Sequence, residues 1–362
     1  MSSITALVKQ AAREAGFELA GVAPVAGFPE LEKFEVWIAA GHAGEMHYLA
    51  ARDQAGGVKR SSLPRVAPWA RSVIVCAINY NTAPPYSTQA SHPSRGWISR
   101  YSWGREDYHA AVMRRLKRVA ARLRQASGPA NDLVTRCYVD TGPVVERVYA
   151  KYAGTGWIGK NTCVLNQGLG SWLFLGVILS SLELPPDLPA PDRCGTCTRC
   201  IDACPTQALT APYQLDSNLC ISYLTIEKRG SIPDHLRQHL GRHVFGCDIC
   251  QDVCPWNRKA PVTAAPEFQP RPELVNPALE WLAGMQAEEF GKVFRASPLR
   301  RAKRSGLRRN AVVAMGNSGD RTFLPLLEKL SADEDPVVAE HAQWARQQLL
   351  GTGTRNQEPG AS

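Results

Sequence analysis

The chain has 362 residues, 44% of them hydrophobic, enough for two or three packed domains. No run of about 18 apolar residues occurs, which excludes a transmembrane helix and argues against a membrane partner. Its 42 Lys and Arg stand against 33 Asp and Glu, a net charge of +9, and the meaning of that excess depends on where it lies.

Residues 1–16 place Ile4, Leu7, Val8, Ala11 and Ala12 at helical spacing. They read as an amphipathic helix and not as an export signal, so a cytoplasmic protein is expected. Residues 72–80 (SVIVCAINY) and 172–180 (WLFLGVILS) are apolar and β-branched, the pattern of central strands. Between them, residues 108–124 show helical periodicity with a basic outer face. This mixture predicts an α/β or α+β domain over residues 1–185, within a chain of α+β class. Two Pro-rich stretches, 183–192 and 261–277, set off a cysteine-rich domain (186–265) and a C-terminal domain (266–362).

A dense polar signal falls at residues 138–161. Tyr138-Val-Asp-Thr-Gly-Pro143 is followed by Glu146 and by Gly154-Thr-Gly-Trp-Ile-Gly-Lys-Asn161. Asp140 ends an apolar strand and precedes a turn, which would place its carboxylate at a site opening. A turn or N-cap aspartate is the competing reading. Gly154, Gly156 and Gly159 would let backbone approach a large ligand, with Lys160 and Asn161 as polar contacts. The spacing is neither the dinucleotide fingerprint nor the P-loop.

Eleven cysteines follow a clearer rule. One run is Cys194-x2-Cys197-x2-Cys200-x3-Cys204-Pro205, and a second is Cys247-x2-Cys250-x3-Cys254-Pro255. This is the ligand spacing of paired [4Fe–4S] clusters, in which the last cysteine of a run crosses to the other cluster. Cys194, Cys197, Cys200 and the crossing Cys254 would hold one cluster. Cys204, Cys247 and Cys250 would hold the other, with Cys220 completing the set. A zinc ribbon fits two CxxxCP endings less well, and a disulfide framework does not suit a chain without a secretory signal. Cys76, Cys137 and Cys163 are expected to be small buried hydrophobes.

Residues 291–310 carry Lys292, Arg295, Arg300, Arg301, Lys303, Arg304, Arg308 and Arg309 and no acid. Such a block is the footprint of a phosphate-bearing partner, with a solvated helix face as the alternative. Only Phe294 interleaves, so phosphate contact is expected over base stacking. Residues 307–316 resemble residues 338–347 at a shift of 31, aligning Ala311 and Ala314 with Ala342 and Ala345. With a helix at 323–330 between them, this suggests a short HEAT-like repeat. The tail after Gly351 reads as polar and disordered.

Together these motifs resemble the epoxyqueuosine reductases. The resemblance rests on VDTGPVVER (139–147), AGTGWIGKNT (153–162), CGTCTRCIDACPTQAL (194–209) and FGCDICQDVCPWN (245–257), with ISRY (98–101) and DYH (107–109). The chain reads Gly-Arg-Glu-Asp-Tyr-His over 104–109, one residue longer than the tight Gly-Arg-Asp-Tyr-His form expected in relatives, and the extra residue is expected in a loop. The resemblance implies a nitroreductase-like, reductive-dehalogenase-like N-terminal domain holding cobalamin as cob(II)alamin. It implies two [4Fe–4S] clusters fed by an external low-potential electron donor. The implied substrate is an epoxide on a modified guanosine at the wobble position, in a tRNA anticodon stem-loop, and losing the epoxide oxygen leaves queuosine. Asp140 would then be the proton donor, with its pKa raised by burial beside the corrin. Candidate corrin contacts are Arg60, Tyr101, Asp140, Lys160, Asn161, Ser222 and the backbone at Cys247 and Asp248. Candidate tRNA contacts are Arg300, Arg301, Lys303, Arg304, Arg308 and Arg309. A monomer is expected. A reductive dehalogenase, or a ferredoxin-type electron carrier without cobalamin, is the alternative function.

Overall fold

Four strands, β1 (Leu19–Pro24), β2 (Ser72–Asn79), β3 (Thr135–Tyr138) and β4 (Leu173–Ser180), pair in the order β1–β2–β4–β3, every pair antiparallel. The computed structural model describes residues 4–83, 85–128 and 132–351. The expectation for the tail after Gly351 lies outside the described residues. β2 pairs with β4 from Ser72↔Ser180 to Asn79↔Leu173. Successive side chains of a strand point to opposite faces. Ile74, Cys76 and Ile78 therefore meet α1 (Ile4–Glu14) and α2 (Tyr108–Ser127), whose Val8, Ala12, Val112, Leu116 and Leu123 complete that core. Val73 and Val75 meet α3 (Glu146–Tyr152) through Val148, Tyr149 and Ala150. Both faces being covered, β2 is buried throughout, and its sequence reads as an unbroken apolar run.

Cys76 lies wholly inside this core, where burial pushes its thiol up, and it serves as a small hydrophobe. Cys137 packs at the edge of the same core. The start of α2 is fixed by Asp107, whose side chain accepts the His109 N–H at 3.0 Å. Residues 104–107 before it lie outside any helix or strand.

The residues group into two compact units, not three contiguous domains. The first comprises Met1–Thr88, Arg100–Cys220 and Asp248–Arg271; the second comprises Gln89–Ser99, Ile221–Cys247 and Pro272–Ser362. The cysteine-rich stretch 186–265 does not separate as a body of its own. Its two four-residue helices, α4 (Arg199–Asp202) and α5 (Ile249–Asp252), pack on each other within the first unit. Residues 221–247 belong to the second, because the helix Ile221–Ile226 and the strand His243–Phe245 pack on helix α6 (Lys303–Ser318).

In the second unit α6 also packs on α8 (Pro336–Leu350), with α7 (Leu324–Leu330) between them in sequence. Ala311, Ala314, Ala342 and Ala345 are all fully buried, so the aligned small residues do lie in the helical core. A Cβ on Gly316 would stand 2.8 Å from the Ala345 Cα, which explains why α6 carries glycine there.

One close approach in the first unit makes a stability prediction. A Cβ on Gly21 of β1 would stand 1.9 Å from the Ala153 carbonyl oxygen just after α3, a backbone atom that cannot swing away. Gly21→Ala should therefore destabilise the protein by about 1–3 kcal/mol, as overpacking does. Chemical denaturation measures it, and an unchanged midpoint would show that α3 can shift freely on the sheet.

Candidate active site and cluster ligands

Asp140 follows β3 with φ of 59°, a left-handed conformation that few non-glycine residues adopt and aspartate tolerates best. Its side chain is 68% exposed, so it faces solvent at the end of the strand. The Tyr108 hydroxyl donates to Asp140 Oδ2 at 3.0 Å, and His109 Nε2 lies 3.7 Å from the same oxygen. The other ring nitrogen of His109, Nδ1, is 2.7 Å from Asp107 Oδ1. One residue thus bridges two carboxylates, and the cap of α2 aims it. Tyr108 is fixed by stacking on Phe174 at 4.3 Å and by an edge contact with Tyr101 at 5.9 Å.

The charges follow from this geometry. Burial disfavours a cationic ring at His109, but the hydrogen bonds to Asp107 and Asp140 outweigh it and push its pKa to about 9. Asp140 is held below the usual carboxylate range, first by His109 and then, against burial, by Tyr108. The expectation of a raised Asp140 pKa is therefore corrected. In this arrangement Asp140 is an anion, because a cation and a hydroxyl reach it before desolvation can dominate. A raised acid does exist nearby. Burial pushes Glu146, the first residue of α3, up to about 7. Asp107, Tyr108, His109 and Glu146 were not assigned as site residues from sequence. The available signal was the Asp-x-His spacing at a helix start, which puts a carboxylate and a ring on the same cap.

The glycine-rich stretch has a partner other than the one expected. Lys160 Nζ donates to the carbonyls of Gly195 and Cys197 at 2.7 and 3.0 Å. Asn161 Nδ2 donates to the Cys250 carbonyl at 3.4 Å, and its Oδ1 accepts the Cys163 N–H. Both side chains therefore brace the cysteine runs. Asp248 Oδ2 accepts the Arg100 N–H at 2.6 Å. Arg60 donates to the Val144 carbonyl at 3.3 Å and lies over the Tyr48 ring. Tyr101 packs against Tyr108, as above. Ser222 and Cys247 belong to the second unit, Asp140, Arg60, Tyr101, Lys160, Asn161 and Asp248 to the first.

The packing of α4 on α5 brings the two cysteine runs together. Cys200 lies within electrostatic range of Cys194 and Cys197. Cys254, from the other run, lies within range of Cys194 and Cys200. With Cys194 it packs against Trp157, Leu165 and Trp256. Thiols from two runs within range of one another, two of them against apolar side chains, fit the ligands of an iron–sulfur cluster. Cys204, Cys220 and Cys250 lie in the same unit, and Cys247 is the last residue of a segment of the second. Among the described residues no three His, Cys, Asp or Glu side chains converge as for a single metal ion. Cys163 packs in the same pocket as Cys254.

The basic segment is less free than its composition suggested. Arg308 is 4% exposed, donates to the Ala283 carbonyl and forms a two-pronged pair with Asp333 at 3.1 and 2.5 Å. Arg309 is 1% exposed and donates to the carbonyls of Lys228, Gly230 and Leu224. Both are structural, which corrects their assignment as tRNA contacts: a buried guanidinium that satisfies backbone carbonyls cannot also meet a phosphate. Arg304 donates to the Met285 carbonyl, and Arg301 pairs with Glu227 at 2.8 and 2.9 Å. Lys292, Arg295, Arg300 and Lys303 are exposed.

Residues 193–257 match the family of 4Fe-4S double cluster binding domains. Joined to an α+β unit with an Asp–His–Asp site, they define an iron–sulfur oxidoreductase. Residues 60–141 match the family described as epoxyqueuosine reductase QueG, DUF1730. The chain is 40% identical over 343 residues to the epoxyqueuosine reductase of Xanthomonas campestris pv. campestris, covering 94% of each. It belongs to the epoxyqueuosine reductase family. It is similar, at 30% identity and a TM-score of 0.84, to a solved epoxyqueuosine reductase with a tRNA-Tyr epoxyqueuosine-modified tRNA stem loop, covering 94% of this chain and 89% of that one. It matches equally well, at 29% identity, a Bacillus subtilis epoxyqueuosine reductase whose catalytic aspartate loop is swung out of the active site, with a TM-score of 0.84 and the same coverage.

The ligand grouping is checked by iron content. After anaerobic reconstitution, Cys254→Ser and Cys220→Ser should each cost about half of the bound iron, one cluster of two. Cys76→Ser should cost none. Full iron in Cys254→Ser would show that the crossing ligand is another group.

Proposed function

We propose that this protein reduces epoxyqueuosine to queuosine at the wobble position of tRNA, drawing electrons through two [4Fe–4S] clusters from an external low-potential donor. The observation that carries the reading is the match to a reductase of that name across 94% of both chains. Cluster ligands are assigned as Cys194, Cys197, Cys200 and Cys254, and as Cys204, Cys220, Cys247 and Cys250. We place the protein in the cytoplasm as a monomer, and read α6 to α8 as a HEAT-like unit, with the exposed cations at its start and in the segment before it.

We also propose cobalamin as the cofactor of the first unit. His109 Nδ1 lies 2.7 Å from Asp107 and Nε2 3.7 Å from Asp140, so the ring is committed to carboxylates and the group would be held by other residues. Arg60, Tyr101 and the Asp248 backbone would hold it in the first unit; Ser222 and Cys247, proposed with them from the sequence, belong to the second. Lys160, Asn161 and the Asp248 carboxylate are drawn to other partners and support the clusters' surroundings instead. When bound, cobalamin supplies electrons of low potential to the substrate.

The chain's own contribution is protons. Removing an epoxide oxygen as water breaks two C–O bonds, forms a C=C bond, and consumes two electrons and two protons. Asp140 is the exposed carboxylate at the end of β3, on the kind of loop that moves in the relative from Bacillus subtilis. As an anion it cannot start as the donor. His109 can: it stays protonated to about pH 9 and touches Asp140 through Nε2. We assign His109 to charge Asp140, and Asp140 to hand the proton to the departing oxygen.

Conversion of epoxyqueuosine in tRNA by the anaerobically loaded enzyme tests the function, and absence of product would overturn it. Asp140→Asn should lower turnover about 10²-fold or more with iron retained. Because the protonated ring is the active form and its pKa is raised, the final alkaline loss of wild-type turnover should come as the pH rises through about 9. His109→Gln should move that alkaline limb downward, and an unmoved limb would remove His109 from the proton path.

For the tRNA side, reversing Arg300 and Lys303 to Glu should weaken stem-loop binding. It should also lower the slope of log affinity against log salt by about one for each phosphate no longer neutralised. Binding indifferent to both would leave the exposed cations a solvated face.

A further inference from the structure

The reaction needs a second proton, and the site holds a second acid. Glu146 Oε1 is buried and, among the described residues, has no hydrogen-bond partner. An unpaired buried carboxylate oxygen is costly as an anion and ordinary as an acid. Glu146 and Asp140 lie at opposite ends of one loop, residues 140–146, and within electrostatic range of each other. We propose that Glu146 is the proton reserve of the active site, passing its proton along this loop to Asp140 after Asp140 has delivered the first.

The surroundings of Glu146 support this role. The charged groups that act on it are Asp140, Arg60 and Arg147. The elements packed on α3 otherwise present apolar side chains: Ala23 of β1, Val73 and Val75 of β2, Val177 and Leu179 of β4, and the short strands Trp157–Ile158 and Val164–Leu165. Burial disfavours its anion, the Asp140 anion disfavours it further, and the two arginines oppose both without cancelling them, leaving the group near pH 7. Arg60 and Arg147 also donate to carbonyls, those of Val144 and Thr162, and among the described residues neither forms an ion pair with Glu146.

The coupling has a direction. Two carboxylates in range of each other resist being ionised together, so they tend to hold one proton between them. While His109 keeps Asp140 anionic, that proton sits on Glu146. Once Asp140 has given up a proton beside the substrate, it is again the more exposed anion, and Glu146 is a neutral carboxylic acid within its electrostatic range. The transfer leaves Glu146 as the anion to be reprotonated from solvent. The balance is one proton through His109 and Asp140, one from Glu146, two electrons from the clusters, and water leaving. Glu146 acts through Asp140, so it is a positioning and reserve group and not a residue that touches the substrate.

This inference rests on the proposed function, and its test separates the two. Infrared difference spectra of the full-length protein between pH 6 and pH 8 read the carboxylic acid directly, without turnover. A carboxylic band titrating near pH 7 and lost in Glu146→Gln is expected, beside that of Asp252, which burial also pushes up to about 7 and which the substitution leaves in place. A band unchanged by the substitution overturns the assignment even if turnover is normal. In the loaded enzyme, Glu146→Gln should lower kcat by about 10-fold, less than loss of a direct donor. KM for tRNA and bound iron should stay unchanged, and the pH dependence near 7 should disappear. Glu146→Asp should restore part of the rate. Wild-type kcat and pH profile in Glu146→Gln would overturn the reserve role. Absence of any wild-type turnover would instead count against the function, with the infrared result standing on its own.

Discussion

The position of one imidazole sets the electrostatics of the active site. His109 is held by the cap of α2, where Asp107 accepts both its backbone N–H and its ring Nδ1. That leaves Nε2 facing Asp140. A single cation between two carboxylates lowers both of them and is itself stabilised by both. Everything else follows from it. Asp140 can be exposed and anionic in a strained backbone position because His109 and Tyr108 hold it there. Glu146 is pushed the other way, by burial above all and then by the neighbouring anion. The acid and base assignments are set by which carboxylate the ring can touch.

Much of the first unit was legible in the sequence. The apolar runs at 72–80 and 172–180 are β2 and β4 to within a residue, because a strand buried on both faces has no polar side to interrupt it. The cysteine spacing foretold a crossing ligand, and Cys254 does lie near Cys194 and Cys200. The domain boundaries were not legible. Proline-rich stretches mark where a chain leaves its elements, but compactness depends on contacts. Residues 221–247 pack with α6 although they lie between the two cysteine runs.

The basic segment shows the limit of counting charges along a chain. Its 20 residues hold no acid, yet Arg308 finds Asp333 and Arg301 finds Glu227, each far away in sequence. Arg309 needs no acid at all, since three backbone carbonyls around it are as demanding as a phosphate and already buried. Arginine suits that task because its planar fork serves several acceptors at once. What the segment offers to a polyanion is therefore its exposed lysines and arginines, a smaller set than composition implies. Lys160 and Asn161 teach the same lesson. A lysine beside glycines resembles a ligand contact in sequence, and here it satisfies the carbonyls of a cysteine loop.

That bracing links the two halves of the chemistry within the first unit. The stretch from β3 through α3 to Asn161 carries Asp140 at one end and the supports of the cysteine runs at the other. Its turns depend on glycine where backbone meets backbone: a Cβ on Gly156 would stand 2.4 Å from the Leu165 carbonyl, and one on Gly154 2.7 Å from that of Leu188. Such close approach gives the stretch little room to move independently of what it touches. Asp140, Glu146 and the braces of the cysteine loops are therefore parts of one segment of the first unit. The close backbone contacts lie at the Asn161 end, so that end is fixed against its neighbours while Asp140 stands at the exposed end of β3.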